Sequence, residues 1–208
     1  MTLDEYIEDH IDSEGEYLHK LYRATQTKLL YGHMASGHVQ GRLLKMLVEM
    51  IKPTNIIEIG TFSGYSALCM AEALPEKGVI HTIEIFDELE DFTRYWIENS
   101  PWADKVRFHI GDALEIIPQL NVKFDMAFID GNKRIYPEYY RLIKSYMNPG
   151  GYIIADNTLW YGHVLEDDPQ DPQTKGIMEF NDIVAADESV EKIILPIRDG
   201  LTLIKIKK

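Results

Sequence analysis

The sequence predicts an α/β fold: a doubly wound, mostly parallel sheet of seven strands with one antiparallel strand, preceded by amino-terminal helices. From residue 53 onward, short apolar runs alternate with helical stretches, a pattern typical of parallel strands connected by helices. The last two runs, 190–197 and 201–207, are separated only by Arg198-Asp199-Gly200. So short a connection forms a hairpin, so one strand must run antiparallel.

Amphipathic helices are predicted ahead of the sheet. Residues 3–31 show two helical patterns separated at Gly15, and a third helix extends from about residue 39 to residue 51, just before a proline. We therefore expect a single domain over the 208 residues, with helices in 1–52 and the α/β core in 53–208.

Acidic residues mark the expected ligand site. The predicted strands are 55–60, 78–84, 105–110, 124–130, 151–156, 190–197 and 201–207. The acidic residues at or near the carboxyl ends of the first five are Glu58, Glu84, Asp112, Asp130 and Asp156. Open parallel sheets bind their ligands at this edge. The segment 162–174 has two prolines and no periodicity, and a loop of that length at the ligand edge predicts a lid.

Composition limits the classes of function. The net charge of −13 argues against nucleic acid as a partner, because binding to a phosphate backbone relies on clustered lysine and arginine. No window is apolar enough for a membrane span, and the acidic amino terminus is unlike a secretory signal. Cys69 is the only cysteine, which excludes an internal disulfide and favours a reducing compartment. We expect a cytoplasmic protein without a membrane partner.

The stretch EIGTFSGYS, residues 58–66, is predicted to run from a strand through a glycine turn into a helix. Gly60 and Gly64 would let the backbone approach a ligand closely. The turn does not match the dinucleotide-binding fingerprint, because Phe62 and Tyr65 occupy the places of its second and third glycines. A ligand other than a dinucleotide is therefore indicated.

Two carboxylates suggest which ligand that is. Glu58, beside the turn, would repel a pyrophosphate but would stabilise a cation. Glu84, at the end of the second strand, has the spacing of an acid that binds ribose hydroxyls. The pair favours an adenosyl ligand without phosphates, and S-adenosylmethionine, with its ammonium and sulfonium, meets that description.

The chain resembles the class I S-adenosylmethionine-dependent O-methyltransferases, which have a Rossmann-like fold, and specifically their cation-dependent group, which contains catechol and caffeoyl-coenzyme A O-methyltransferases. The resemblance extends from about residue 31 onward. The segments that carry it are MASGHVQGRLL (34–44), EIGTFSGYSALCMA (58–71), HTIE (81–84), GDAL (111–114), IDGNKRIYPEYY (129–140), ADNTLWYG (155–162) and RDGLTL (198–203). Seven such segments in the order found in the family are more specific evidence for it than any one of them.

The resemblance implies a role for each matching residue, and a homodimer. The implied cofactor-binding residues are Met34, Ser36, Glu58, Gly60, Phe62, Ser66, Glu84, Asp112, Ala113 and Asp130. The implied ligands of a divalent cation, expected to be Mg²⁺, are Asp130, Asp156 and Asn157. Lys133 would be the base and complete the catalytic set with the two aspartates. From their positions beside these residues, we expect Trp160 to wall the aromatic ring of the substrate and Tyr136 to support the substrate site.

The expected reaction follows from this ligand set. Two carboxylates and an amide oxygen are hard donors suited to Mg²⁺. A vicinal diphenol can chelate such a cation through its adjacent hydroxyls, which lowers the pKa of the phenol. We therefore expect transfer of a methyl group from S-adenosylmethionine to one hydroxyl of a small, catechol-type aromatic acceptor.

Other interpretations stay open. A methyltransferase of the same fold could act on a coenzyme A thioester or a hydroxylated nucleoside, and a non-catalytic adenosyl-binding module would need no cation site. Taken singly, Asp130 and Asp156 would also suit helix caps, and Lys133 an exposed lysine in a first helical turn. Gly131 and Asn132 stand where relatives often carry Ala-Asp or bulkier residues, which leaves the acceptor open.

Overall fold

The protein is described by a computed structural model that covers residues 1–3 and 5–208 in full. Its helices are α1 (Leu3–Asp9), α2 (Gly15–Lys28), α3 (Gly37–Ile51), α4 (Tyr65–Ala73), α5 (Glu90–Glu98), α6 (Ala113–Gln119), α7 (Tyr136–Tyr146) and α8 (Pro172–Ala186). Over the residues so covered, none of the helices has the length and apolar character needed to span a bilayer.

The strands confirm the predicted sheet. They are β1 (Asn55–Ile59), β2 (Val79–Glu84), β3 (Val106–Ile110), β4 (Phe124–Ile129), β5 (Met147–Asp156), β6 (Val190–Leu195) and β7 (Leu201–Ile206). Their order in the seven-stranded sheet is β3-β2-β1-β4-β5-β7-β6. Strand β7 is antiparallel to both β5 and β6. It is the reversed strand that the short connection after β6 predicts.

The structure departs furthest from the predicted boundaries at two places. Strand β5 begins at Met147 instead of residue 151, because an irregularity in its pairing with β4 carries it back through two glycines. The expected loop 162–174 is shorter. The chain forms 3-10 turns over Trp160–Leu165, and α8 begins at Pro172. A proline at the first position of a helix, after a capping aspartate, is a helix-start signal as well as a loop signal.

The chain divides into two compact units. The first unit comprises Met1–Thr54 and Thr61–Ile110, and the second comprises Asn55–Gly60 and Gly111–Lys208. The first unit therefore contains α1 to α5 with β2 and β3. The second contains β1 with β4 to β7 and α6 to α8.

In the first unit, α3 packs closely against α4. A Cβ added to Gly41 of α3 would lie 2.8 Å from Cys69 Sγ of α4, so this contact requires glycine. Leu44 of α3 and Leu68 of α4 are fully buried, and each such side chain contributes about 1.5–3 kcal/mol. Burial raises the pKa of the Cys69 thiol to about 12, so the residue is unreactive.

In the second unit, α8 packs on α7 through aromatic rings. The ring of Phe180 lies edge-on to Tyr136 and Tyr140, with centroid separations of 5.5 and 5.8 Å. These contacts are of the favourable edge-to-face kind. They fix the first turn of α7 just after the carboxyl end of β4.

A pair of imidazoles on β2 and β3 makes stability depend on pH. His81 Nδ1 lies 3.2 Å from His109 Nε2. Burial, followed by the neighbouring His109 and Arg107, lowers the pKa of His81 from 6.5 to about 4. The unfolded chain therefore binds a proton below about pH 6.5 that the folded chain excludes until about pH 4, so stability falls as the pH drops through this window.

We expect His81→Gln to reduce that acid-dependent loss by about 1 kcal/mol, as measured by urea unfolding at about pH 7 and about pH 5. The substitution leaves no titrating group at this position. His10→Gln is the control, because His10 is exposed. An equal dependence on pH in wild type and His81→Gln would contradict the assignment.

Candidate active site

The carboxyl ends of β4 and β5, both in the second unit, bring two acids together. The strands are parallel neighbours in which Ile129 pairs with Ala155. Asp130 follows Ile129, and Asp156, the last residue of β5, follows Ala155, so the two acids lie side by side at this edge of the sheet. Asp156 is buried, and 21% of the Asp130 side chain is exposed. The sequence predicts both residues as cation ligands, and the structure places them together.

Lys133 lies against this pair. It begins a short 3-10 turn, Lys133–Ile135, that is capped by the side chain of Asn132. The lysine is only 8% exposed, so it is not an ordinary surface residue. Its Nζ lies 2.6 Å from Asp130 Oδ1 and 2.7 Å from the hydroxyl oxygen of Tyr136.

Tyr136 is fully buried beneath Lys133. Its hydroxyl accepts a hydrogen bond from Lys133 and lies 3.1 Å from the carbonyl oxygen of Ile129 and 3.0 Å from that of Asp156, to which it can donate. Burial, with the charges of Asp130 and Asp156, raises the pKa of Tyr136 far above its usual value and keeps the hydroxyl protonated. Tyr136 therefore supports Lys133 from below, and its predicted role at the substrate stays a prediction.

The electrostatics of this cluster suit a cation. The pKa of Asp130 is raised to about 6: burial is the largest cause, the Lys133 ammonium opposes it, and repulsion from Asp156 adds to it. Two carboxylates in a poorly solvated site repel each other, and a divalent cation between them would remove that repulsion. Their oxygens are the donors that Mg²⁺ and Ca²⁺ prefer.

Asn157, the third predicted cation ligand, follows Asp156 in a left-handed conformation with φ of +58°, which asparagine tolerates better than most residues. Its N–H donates to Asp156 Oδ1 at 2.8 Å and so orients that carboxylate. Across residues 1–3 and 5–208, no group of three or more His, Cys, Asp or Glu side chains is arranged to hold a metal. The predicted set contains only two such acids and takes its third oxygen from an amide.

Trp160 lies half-buried just beyond, in a loop held at both ends. Its N–H donates to the carbonyl oxygen of Asn157 at 3.2 Å. Hydrogen bonds from the Thr174 backbone and from the Trp160 indole lower the pKa of Asp171, which caps α8. The indole is thus tied to the segment that the sequence predicts as a lid.

Gly60 follows β1 directly and packs against the backbone of Asp130. Asp130 N–H donates to the carbonyl oxygen of Ile59 at 2.8 Å. Gly60 has a φ of +100°, and a Cβ added there would lie 2.3 Å from the carbonyl oxygen of Asp130. Only glycine fits, because both the backbone conformation and the space exclude a side chain.

We expect Gly60→Ala to lower the free energy of unfolding by about 3 kcal/mol or more, since left-handed strain and a backbone clash add. Urea unfolding measures the loss. Gly150→Ala is the matched control: its φ is +82°, but the added Cβ meets the flexible Lys208 side chain at 3.4 Å. That variant should cost about 1 kcal/mol, and equal losses in the two would contradict the steric argument.

In the first unit, the glycine turn is tied to the end of β2 by Glu84. The buried carboxylate accepts hydrogen bonds from the N–H groups of Phe62, Ile85 and Phe86, at 2.8, 2.9 and 3.0 Å. Phe62 itself has a φ of +48°. Two of the predicted cofactor residues, Phe62 and Glu84, are thereby joined directly.

The same turn buries a hydroxyl that sequence analysis missed. Ser63 is 1% exposed, and no residue within the described part of the chain offers its Oγ a hydrogen bond. Buried polar groups are normally paired, so an orphaned hydroxyl in a glycine turn fits a site that receives a polar ligand. Its sequence signal is weak, because serine beside glycine is common in any turn.

The other predicted cofactor residues of the first unit lie on two elements. Met34 ends a short 3-10 turn, Gly32–Met34, with its side chain largely exposed, and Ser36 is buried just before α3. Ser66 is buried in the first turn of α4.

In the second unit, Glu58 is fully buried within β1. Asp112 caps α6, accepting a hydrogen bond from Leu114 N–H at 2.8 Å, and Ala113 is buried behind it. Asp112 therefore has the capping role that was the alternative interpretation for the strand-end acids. Asp130 and Asp156 are instead engaged by Lys133 and Asn157.

Known proteins are similar to this one along nearly its whole chain. Residues 8–207 match the family model described as O-methyltransferase. The catechol O-methyltransferase of Niastella koreensis is 32% identical over 218 residues, which cover 99% of this chain and 97% of that protein. The caffeoyl-CoA O-methyltransferase 1 of Eucalyptus globulus is 35% identical over 196 residues, covering 88% and 79%.

Solved structures show the same fold. The O-methyltransferase TomG from Streptomyces achromogenes, in complex with SAM, has a TM-score of 0.90 at 31% identity, covering 99% of this chain and 96% of that one. The O-methyltransferase from Bacillus cereus, in complex with SAH, has a TM-score of 0.92 at 28% identity, covering 99% and 97%.

The sheet, its strand-end residues and these likenesses define an S-adenosylmethionine-dependent methyltransferase. More narrowly, the chain belongs to the O-methyltransferase family, and the resemblance drawn from its motifs is confirmed. The protein is an enzyme, which sets aside the non-catalytic adenosyl-binding module.

Proposed function

We propose that this enzyme transfers the methyl group of S-adenosylmethionine to one hydroxyl of a vicinal diphenol, with a divalent cation bound at the same site. The observation that carries the proposal is the buried cluster of Asp130, Lys133 and Asp156 at two adjacent strand ends. This reaction requires a cation, an acceptor hydroxyl and a base at one place. The two aspartates are suited to bind a cation that holds the hydroxyl, and the lysine is suited to act as the base.

The cofactor is assigned to the glycine turn and the strand ends. In the first unit, the Glu84 carboxylate, fixed by backbone amides, and the orphaned Ser63 hydroxyl are suited to a polar ligand such as a nucleoside. In the second unit, Gly60 leaves no room for a side chain, and the buried Glu58 lies two residues before it in β1. A carboxylate at Glu58 would complement a positively charged methionine moiety.

The cation is assigned to Asp130, Asp156 and Asn157, with Mg²⁺ as the preferred ion. When bound, a divalent cation supplies Lewis acidity that lowers the pKa of a coordinated phenol and orients its oxygen. The fit is supported by the burial of Asp130 and by the repulsion from Asp156, both of which raise the pKa of Asp130.

Lys133 is assigned the role of base. A neutral lysine amine has two N–H bonds and one lone pair. Asp130 Oδ1 at 2.6 Å and the Tyr136 hydroxyl at 2.7 Å take the two N–H bonds, so the lone pair is directed to a third partner. A substrate hydroxyl there would lose its proton to Nζ, and the phenolate oxygen would take the methyl group as its bond to the sulfonium breaks and S-adenosylhomocysteine leaves.

Trp160 is proposed as a wall for the aromatic ring, and Tyr136 acts on the acceptor only through Lys133. The caffeoyl-CoA O-methyltransferase among the relatives keeps a coenzyme A thioester as the second candidate acceptor. A homodimer, a cytoplasmic location and the lid over residues 162–174 stay predictions.

An acceptor panel tests the proposed function. Methyl transfer from S-adenosylmethionine is followed for catechol, caffeate, caffeoyl-coenzyme A and a mono-phenol, each with Mg²⁺. We expect turnover of vicinal diols at least about 100-fold above that of the mono-phenol, because only a diol can chelate the cation. Comparable turnover of the mono-phenol would overturn the chelation mechanism.

A further inference from the structure

Thr158, the residue after Asn157, is held at each of its polar groups. It is fully buried. Its N–H donates to the carbonyl oxygen of Gly200 at 3.1 Å. Its hydroxyl accepts a hydrogen bond from the Thr202 hydroxyl at 2.8 Å, and its carbonyl oxygen accepts one from the side-chain amide of Asn181 at 2.8 Å. These three bonds fix the backbone that leads out of the proposed cation ligand.

The bond from Asn181 is not explained by stability. Asn181 Oδ1 is buried, and among the residues that the structure describes it has no hydrogen-bond partner. An apolar side chain here would leave the Thr158 carbonyl oxygen unpaired, whereas asparagine pairs that oxygen and leaves its own unpaired. The number of unpaired buried acceptors is the same in both cases, so the amide brings little net stabilisation. Another role must account for it.

The helix that carries Asn181 also rests on the turn that carries the proposed base. A Cβ added to Gly176 of α8 would lie 2.3 Å from the carbonyl oxygen of Lys133 and 2.8 Å from Arg134 Cα. Helix α8 therefore packs on this turn through backbone. Because Gly176 and Asn181 belong to one helix, α8 sets the loop after Asn157 relative to the turn of Lys133.

We propose that Asn181 is a positioning residue for the cation: it fixes the peptide after Asn157, so that α8 holds this ligand in register with Lys133. The inference rests on the proposed function. Asn157 has a left-handed φ of +58°, and such a conformation persists where the surrounding structure holds it. Groups that orient a metal ligand typically change metal affinity or activity by about 10- to 100-fold when they are removed.

Binding of Mn²⁺ in the absence of acceptor tests this role. Asn181→Leu keeps the number and branching of the side-chain atoms but removes the donor. We expect the Kd for Mn²⁺, measured by electron paramagnetic resonance, to rise about 10- to 100-fold. The Kd for S-adenosylmethionine should stay within about twofold, and urea unfolding in EDTA should match that of wild type, because the number of unpaired acceptors is unchanged. With catechol, the KM for Mg²⁺ should rise, while kcat at saturating Mg²⁺ should change less than about 3-fold.

Asn148→Leu is the matched control. Asn148 is a half-buried asparagine of the same unit, near the start of β5 and so at the opposite end of that strand from Asp156. Its amide donates to Asp125 Oδ1 at 2.8 Å, the same length as the bond from Asn181. This variant should bind Mn²⁺ as wild type does.

Thr202→Val tests the same hold by a second route, since it removes the hydroxyl that donates to Thr158 and hardly alters the shape. We expect it to raise the Kd for Mn²⁺ about 3- to 10-fold. If Asn181→Leu does not fold, an unchanged Kd in Thr202→Val refutes the inference.

An unchanged Kd for Mn²⁺ in folded Asn181→Leu, or an equal rise in Asn148→Leu, would also refute it, while Mg²⁺-dependent turnover of a vicinal diol by wild type would leave the proposed function intact. Wild-type enzyme that binds no Mn²⁺ and turns over the diol in EDTA would overturn the proposed function, and the inference with it.

Discussion

Lys133→Met is expected to lower kcat by about 1,000-fold while leaving the affinity for S-adenosylmethionine within about twofold of wild type. Methionine matches the length of the lysine side chain, but its sulfur is too weak a base to take the proton from the substrate hydroxyl. Lys133→Arg should be equally inactive although it keeps the positive charge, because a guanidinium stays protonated. Steady-state rates and calorimetric titration with the cofactor give the two quantities.

Two controls separate chemistry from folding in this experiment. Lys123→Met alters an exposed lysine of the same unit, whose Nζ donates to the carbonyl oxygen of Ser145 at 2.6 Å, and should keep full activity. The free energy of unfolding of Lys133→Arg should stay close to that of wild type, because the ion pair with Asp130 is kept. A fully active Lys133→Arg would show that Lys133 acts by charge alone and is not the base.

Asp156→Asn is expected to lower turnover of a vicinal diol at least about 100-fold at a Mg²⁺ concentration that saturates the wild type. The amide keeps the size of the side chain and can still accept the N–H of Asn157, but it removes one of the two negative charges that attract the cation. The apparent Kd for Mg²⁺, taken from the dependence of rate on its concentration, should rise. EDTA should abolish the activity of wild type, and added Mg²⁺ should restore it.

Asp182→Asn is the matched control, since Asp182 is an exposed aspartate of the same unit, on α8. Its dependence on Mg²⁺ should equal that of wild type. Activity that persists in EDTA, with Asp156→Asn as active as Asp182→Asn, would refute a cation at Asp130, Asp156 and Asn157.

Much of the fold could be predicted from periodicity, because parallel strands are short, apolar and separated by helices. The antiparallel β7 follows from a connection too short for a crossover. The start of β5 at Met147 could not be predicted, since two glycines and a proline indicate a turn. Pro172 indicated a loop but begins α8, because proline occurs both in loops and at the first position of helices.

The candidate site could be predicted where an acidic residue stands at the carboxyl end of a predicted strand, as at Asp130 and Asp156. Tyr136 shows the limit: a tyrosine one turn after Lys133 looks like a substrate contact, but only the packing of α7 shows that it is buried under the lysine. Ser63 was missed because the burial of its hydroxyl depends on the path of the backbone, which no local pattern encodes.

The position of β7 has a consequence for synthesis of the enzyme. This strand is made after β6 but is inserted between β5 and β6, and its Leu201 pairs with Asp156, a proposed cation ligand. The turn that precedes it also supports the loop carrying Asn157. A nascent chain that has emerged only as far as β6 therefore lacks this support for the loop of Asn157 and leaves the edge of β5 unpaired. The proposed site is complete only after residues 201–206 have joined the sheet.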